Sequence, residues 1–312
     1  MGKRSRTKAR QQAAPAAGEV GPRQPCPCGS GRRYKACHGA PGGAAAVFVA
    51  RPFEGLASEC DLIALRELVP SATAPLPLTG EHAGRKVTLC TLLPMAAPAM
   101  VRDSGEVWLG LQVVHNFGDP SRDLAAVLLA ALAQEEPGIV GLTEPPGDGP
   151  RLQDLVTDAS LDITVHEGFD YWVADVPDAA VAGALEEANG QVNPTLRLTS
   201  VEAAYWTDVS TKEHLRWVMP EPEGPLLDAL ARLHAAGQDV LVPDSRLVGM
   251  FRAHGLLTPV WDLPLGTGAE ALEEPADRFA KDLAAALAVT DPLTGEERAA
   301  RNGLANRQVT IR

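Results

Sequence analysis

Residues 26–39 read C-P-C-G-S-G-R-R-Y-K-A-C-H-G, and this stretch constrains the chain more than anything else in its 312 residues. It holds three thiols and an imidazole, Cys26, Cys28, Cys37 and His38, with a Gly-Ser-Gly turn between the pairs. Four nitrogen and sulfur donors are what a closed, tetrahedral Zn2+ site requires. A single residue between Cys26 and Cys28 lets a tight bend aim both sulfurs at one point, and Pro27 stiffens that bend by fixing φ. Gly29 and Gly31 accept positive φ, so the chain can fold back over the ion and turn backbone N–H groups toward the thiolates. Tyr34 is the one aromatic residue available as a miniature core. Such a unit has no hydrophobic core to fold around, so the metal would supply its folding free energy, roughly 10–16 kcal/mol in zinc-finger peptides.

These residues resemble the SEC-C motif, the zinc-binding tail of the protein-translocase motor SecA, which also occurs alone on otherwise unrelated bacterial proteins. The motif's pattern, C-x-C-x-S-G-x-x-Y/F-x-x-C-H/C, is met at Cys26, Cys28, Ser30, Gly31, Tyr34, Cys37 and His38. In SecA this tail docks on the chaperone SecB and on the ribosome. The resemblance therefore implies zinc as cofactor and a protein or ribosomal partner, with Arg32, Arg33, Tyr34 and Lys35 as candidate contact residues. It spans about 15 of the 312 residues, and the motor's G-x-x-x-x-G-K-[ST] phosphate loop is missing from the sequence.

Charge divides the chain at the same place. Residues 1–40 hold nine of the 28 Lys+Arg and one of the 40 Asp+Glu, so this tail carries about +8 and residues 41–312 about −20. An acidic body repels phosphate, which excludes nucleic-acid binding through its general surface. The basic tail can bind nucleic acid, with Tyr34 and its basic neighbours set as in single-strand-binding knuckles. It can equally lie on the acidic body. No run approaches the roughly 20 apolar residues of a membrane span. The basic start is followed by Q-Q-A-A-P-A-A-G-E-V rather than a hydrophobic segment, which reads as no signal peptide and, with free thiols, as cytoplasmic.

The organisation reads as a disordered basic tail (1–24), the knuckle (25–40), a linker (41–46), two α+β halves (47–150 and 151–290) and a polar C-terminal tail (291–312). Helical spacing predicts helices over 59–68, 121–134, 179–188, 226–236, about 246–254 and 276–289. Alternation predicts strands over 87–93, 99–102, 107–114, 195–201, 203–207, 213–219, 240–242 and 259–262. A hairpin is expected from 161–165 into 171–175. The helix and strands of 59–134 recur at a spacing of about a hundred residues in 179–236, which suggests an internal duplication. Short connections between strands argue for α+β, with antiparallel strands. The runs R-P-F-E-G-L at 51–56, L-R-E-L-V-P-S-A-T-A-P-L at 65–76 and L-T-G-E-E-R-A-A-R-N-G-L at 293–304 resemble an uncharacterised family of SEC-C-bearing proteins from GC-rich bacteria.

The body offers weaker candidates. Leu265–Ala271 contains G-x-G-x-x-A, but no strand with an acidic ribose partner follows, so Gly266 and Gly268 read as a loop. His115 and Asn116 end a strand where polar groups can line a cleft, and Asp119 or Ser121 caps the helix beyond. Asp162, His166, Glu167 and Asp170 cluster in sequence as a divalent-ion site or as a polar hairpin tip. Cys60 and Cys90 sit among apolar neighbours as buried thiols, and Trp172, Trp206, Trp217 and Trp261 read as core. No H-E-x-x-H, G-x-S-x-G or paired-carboxylate signature appears, so no catalytic residue is named. Three functions stay open: an adaptor docking through the knuckle, a single-stranded nucleic-acid binder, and an enzyme or small-molecule binder with its site between the halves.

Overall fold

A computed structural model describes residues 21, 23–24, 33–36, 48–114, 116–173 and 179–311, with the side chains of 309–311 left aside. The body is α+β. The first sheet collects β1 (Ala72–Pro75), β2 (Val87–Cys90), β3 (Ala99–Val101), β4 (Val107–Gly110), β5 (Gly138–Val140) and β6 (Thr164–Val165) in the order β5-β3-β4-β2-β1-β6. The second collects β7 (Thr195–Arg197), β8 (Ala204–Asp208), β9 (Glu213–Trp217), β10 (Arg246–Ala253), β11 (Leu256–Leu263) and β12 (Gln308–Ile311) in the order β12-β10-β11-β9-β8-β7. Pairing is antiparallel apart from β2 with β4 and β10 with β12.

Helix α1 (Glu59–Glu67) lies between the two sheets. Leu62, Ile63, Ala64 and Leu65 are all buried, and one continuous core runs from Val87, Leu89, Val107 and Leu109 past α1 to Ala203, Tyr205, Val218, Ala253 and Leu256 of the second sheet. Helix α2 (Pro120–Ala133) covers the same face of the first sheet with Leu124, Val127, Leu128 and Ala131, and Pro120 opens its first turn where no intrahelical N–H is needed. Helix α3 (Ala179–Asn189) lies at the surface with Leu185 buried. The outer face of the second sheet packs Trp217, Trp261, Leu215 and Leu247 against α4 (Glu223–Ala235), α5 (Glu273–Leu287) and Leu304 of α6 (Gly295–Ala305). Trp261 and Phe279 meet edge-on at 5.3 Å, so these tryptophans are core, as their dispersal along strands suggests.

Several expectations change. Residues 246–254 form β10 rather than a helix. A bulge between Leu247 and Gly249 slips the register, so the buried Leu247 and Met250 fall three apart and imitate a helical period. Gly249 sits where a Cβ would come within 2.7 Å of the Arg307 carbonyl, the close approach that lets β12 pair alongside. Residues 291–312 are not a polar tail. Thr294 and Glu297 form a reciprocal capping box that starts α6, and Gln308–Ile311 closes the sheet as a parallel edge strand. Residues 240–242 form a turn held by the Ser245 hydroxyl. The expected hairpin is absent among the described residues: Thr164–Val165 pairs with β1, while Asp170–Trp172 is a 3-10 turn whose Tyr171 and Trp172 both donate to the Leu92 carbonyl at 2.9 Å. Because β6 joins the first sheet, that sheet extends beyond residue 150.

The halves share element content, one six-stranded sheet each, but not strand placement. In the first, Pro94 and the positive-φ residues Met95 and Ala96 carry the chain past its neighbour, so β4 inserts between β2 and β3 and runs parallel to β2. The strands matched to these by spacing, β7, β8 and β9, form a plain antiparallel meander.

Candidate functional site

Cys26, Cys28, Cys37, His38 and Arg32 lie outside the described residues; Arg33, Tyr34 and Lys35 lie within them. Two short features frame the knuckle. A turn at 21–24 places the Gln24 N–H on the Gly21 carbonyl at 3.0 Å, and the Gln24 side chain accepts from the Gly21 N–H at 2.9 Å. A single 3-10 turn, Tyr34–Ala36, follows. The Tyr34 N–H donates to the Gln24 carbonyl at 2.8 Å, which ties residue 34 to residue 24. Cys26 and Cys28 are the residues that follow one side of this contact, and Cys37 and His38 follow the other. The donor set and the contact fit a tetrahedral Zn2+ knuckle. Arg33 and Lys35 are exposed on either side of a half-buried Tyr34.

The body's sequence candidates resolve differently. Gly266 and Gly268 have positive φ and donate their N–H groups to the Glu213 carboxylate from β9, with the Trp206 indole adding a third donor at 2.7 Å. Burial works against the charge, but these donors outweigh it and hold the Glu213 carboxyl below its ordinary range. The loop's anion site is thus filled by the protein's own side chain, which agrees with its reading as a loop. Among the described residues no three His, Cys, Asp or Glu side chains converge on a metal position. His166 instead meets the Thr73 hydroxyl at 2.8 Å and packs on Tyr171, and burial lowers its pKa. His115 lies outside the described residues. Asp119 is the N-cap residue of α2 by position, yet its carboxylate takes Arg151 at 3.0 Å rather than a helix N–H. Cys60 and Cys90 are indeed shielded, and burial pushes both thiols up to about 12.

Sequence reading missed the polar content of α1. Asp61 is buried and accepts the Tyr205 hydroxyl at 2.9 Å and Arg197 at 3.1 Å, both from the second sheet. Burial, reinforced by Asp61, raises the Tyr205 pKa and keeps it a donor. Glu67 accepts His254 at 2.7 Å; burial opposes its charge, but His254 and Arg66 bring the carboxyl below its ordinary range. Glu59 takes Arg51 through two bonds of 2.6 and 2.7 Å. Carboxylates at 59, 61 and 67 on an otherwise apolar nine-residue helix were the available signal, since charge that the helix buries, as at 59 and 61, needs partners. A second cluster forms at the start of α2, where Asp123 faces a small cavity lined by Arg66 and Asn116. Burial pushes its carboxyl up to about 6, and the Phe117 N–H at 2.7 Å and the Arg66 charge counter this in part.

An acidic body of two mixed sheets joined by a polar helix, preceded by a knuckle, matches known sequences in two separate parts. Residues 52–312 match the family described as "Family of unknown function (DUF5926)", and the chain belongs to it. Residues 23–40 match the SEC-C motif. The protein translocase subunit SecA of Aromatoleum aromaticum is 51% identical over 39 residues, which are 12% of this chain and 4% of that protein. The chain thus spans a small fraction of that relative's length. No solved structure matches the chain. No helix among the described residues is long and apolar enough to cross a membrane.

Proposed function

We propose that this protein is a zinc-binding adaptor whose SEC-C knuckle docks on a protein or ribosomal partner, linked to protein export or translation, while the acidic body engages something else. Cys26, Cys28, Cys37 and His38 would hold one structural Zn2+, which supplies folding free energy to the knuckle and no reaction chemistry. The observation that carries this reading is the backbone hydrogen bond from Tyr34 to Gln24 beside a complete four-donor motif. The exposed Arg33 and Lys35 flanking Tyr34, with Arg32 beside them, would give docking its electrostatic component. Thiolate ligands need a reducing compartment, which favours the cytoplasm. The opposite charges of tail and body suit a protein that presents its cationic end to a partner and keeps its body apart from phosphate.

The test is metal analysis and partner capture with the full chain. About one zinc per chain is expected, lost in Cys28→Ser. Co-purifying partners should disappear on deletion of residues 1–40 and persist after RNase treatment. Partners unchanged by the deletion would overturn the docking role. Partners released by RNase would assign the knuckle to RNA, the reading its basic residues and single aromatic also suit.

A further inference from the structure

We infer that the cavity between the end of α1 and the inner face of the second sheet binds a small organic oxyanion, a phosphate monoester or a carboxylate with an apolar body, through Arg216. This site is separate from the knuckle and does not depend on it. The cavity has a volume of about 150 Å³, and Arg66, Glu67, Gln112, Asn193, Thr207 and Arg216 contribute to its walls, the Glu67 carboxylate being taken up by Arg66 and His254.

Arg216 is not neutralised as a buried cation ordinarily is. Arg216, on β9, has one hydrogen bond among the described residues, a 3.4 Å contact from Nη1 to the Leu68 carbonyl, and no carboxylate within ion-pairing distance. Burial lowers its pKa, and no neighbouring charge opposes this. Capping the last turn of α1 accounts for one of its five N–H groups. Arg66 is more deeply enclosed, with 9% of its side chain exposed. Its Nη1 donates to the Leu111 carbonyl, while its buried Nε has no hydrogen-bond acceptor. The Arg66 charge is met by the Glu67 carboxylate at 3.3 Å from Nε, an oxygen that His254 also meets at 2.7 Å. An enclosed guanidinium with no counter-charge, in a body with 39 acidic side chains against 19 basic ones, is costly unless an anion meets it. The Thr207 hydroxyl and the Asn193 amide add neutral polar groups to the wall.

Arg216 also lines a second cavity of about 280 Å³, walled by Val248, Met250, Phe251 and Val260, with His214, Asp262 and Arg307 also on its wall. One guanidinium thus stands between a polar pocket and an apolar groove. That arrangement suits a charged head with a non-polar body, and explains why neither free phosphate nor a plain hydrocarbon would use the whole site.

Calorimetric titration of the full chain with inorganic phosphate, phenyl phosphate and benzoate, against chloride at equal ionic strength, tests this. Saturable binding of phenyl phosphate or benzoate, tighter than inorganic phosphate, is expected, and the tighter of the two assigns the head group. Arg216→Met should weaken it by about tenfold or more, since charge-assisted bonds are lost. Asn193→Phe, at an exposed position on the rim, should block the pocket without touching either arginine, and it decides the matter if Arg216→Met does not fold. No saturable heat with any probe, or affinity unchanged in a folded variant, would overturn the assignment.

Discussion

Replacing Asp61 should loosen the junction between the two sheets. Its carboxylate is 6% exposed and receives three donors from the second sheet: the Tyr205 hydroxyl at 2.9 Å and Arg197 through Nη2 at 3.1 Å and Nε at 3.4 Å. Tyr205 is fully buried, so its hydroxyl has no water to fall back on. In Tyr205→Phe one hydrogen bond to a charged acceptor is lost, which costs about 1.5–3 kcal/mol. Asp61→Asn also leaves Arg197 without its counter-charge. Arg197 is 27% exposed, so water offsets part of that loss, and a total of about 3 kcal/mol is expected rather than the upper range for a fully buried pair. At about 2–4 °C per kcal/mol for a body of this size, the melting point should fall by about 6–12 °C. The double variant should lose less than the sum of the singles, because both act on one carboxylate. Urea unfolding followed by tryptophan fluorescence and by circular dichroism measures each value. A loss below about 0.5 kcal/mol in Asp61→Asn, the range of an ordinary surface change, would refute the assignment of this network as the tie between the sheets.

Glu213→Gln removes the carboxylate on which Gly266, Gly268 and Trp206 converge and should cost about 1.5–3 kcal/mol near neutral pH. Because the folded carboxyl titrates below its unfolded value, its stabilisation is complete above about pH 5 and fades as pH falls through the folded pKa. Wild type and variant should therefore converge in acid, and a gap that widens there would contradict this. With Cys26, Cys28 and Cys37 replaced by serine, the two remaining thiols, Cys60 and Cys90, should resist Ellman's reagent at about pH 8 until denaturant is added, since both titrate near 12. Rapid labelling of the native protein would show them accessible. Gly255→Ala should destabilise by about 1–3 kcal/mol, because φ there is +87° and a Cβ would approach the Ala50 carbonyl and Arg51 to 2.9 Å; an unchanged urea midpoint would count against that turn geometry.

The SEC-C motif was legible in the sequence because its requirements are local. Donor identity, spacing and the glycines that permit the bend all lie within fourteen residues, with no need for distant chain. The α+β class and the helices α1, α2, α4 and α5 were legible for the same reason, since their apolar faces repeat within a few turns. Two further elements carried local signals that went unread. The Thr294/Glu297 capping box announces α6, and His254–Gly255, both at positive φ, marks the two-residue turn that joins β10 to β11. Strand order was not encoded locally: whether β4 pairs beside β2 or the chain continues as a meander depends on which apolar faces meet across the core. The same holds for the chemistry of the body. Asp61 and Tyr205 are 144 positions apart, and Arg66 and Arg216 come from different sheets' neighbourhoods. Composition shows that such charges exist, but only the tertiary structure decides which of them are buried, which are paired, and which face a cavity with no counter-charge.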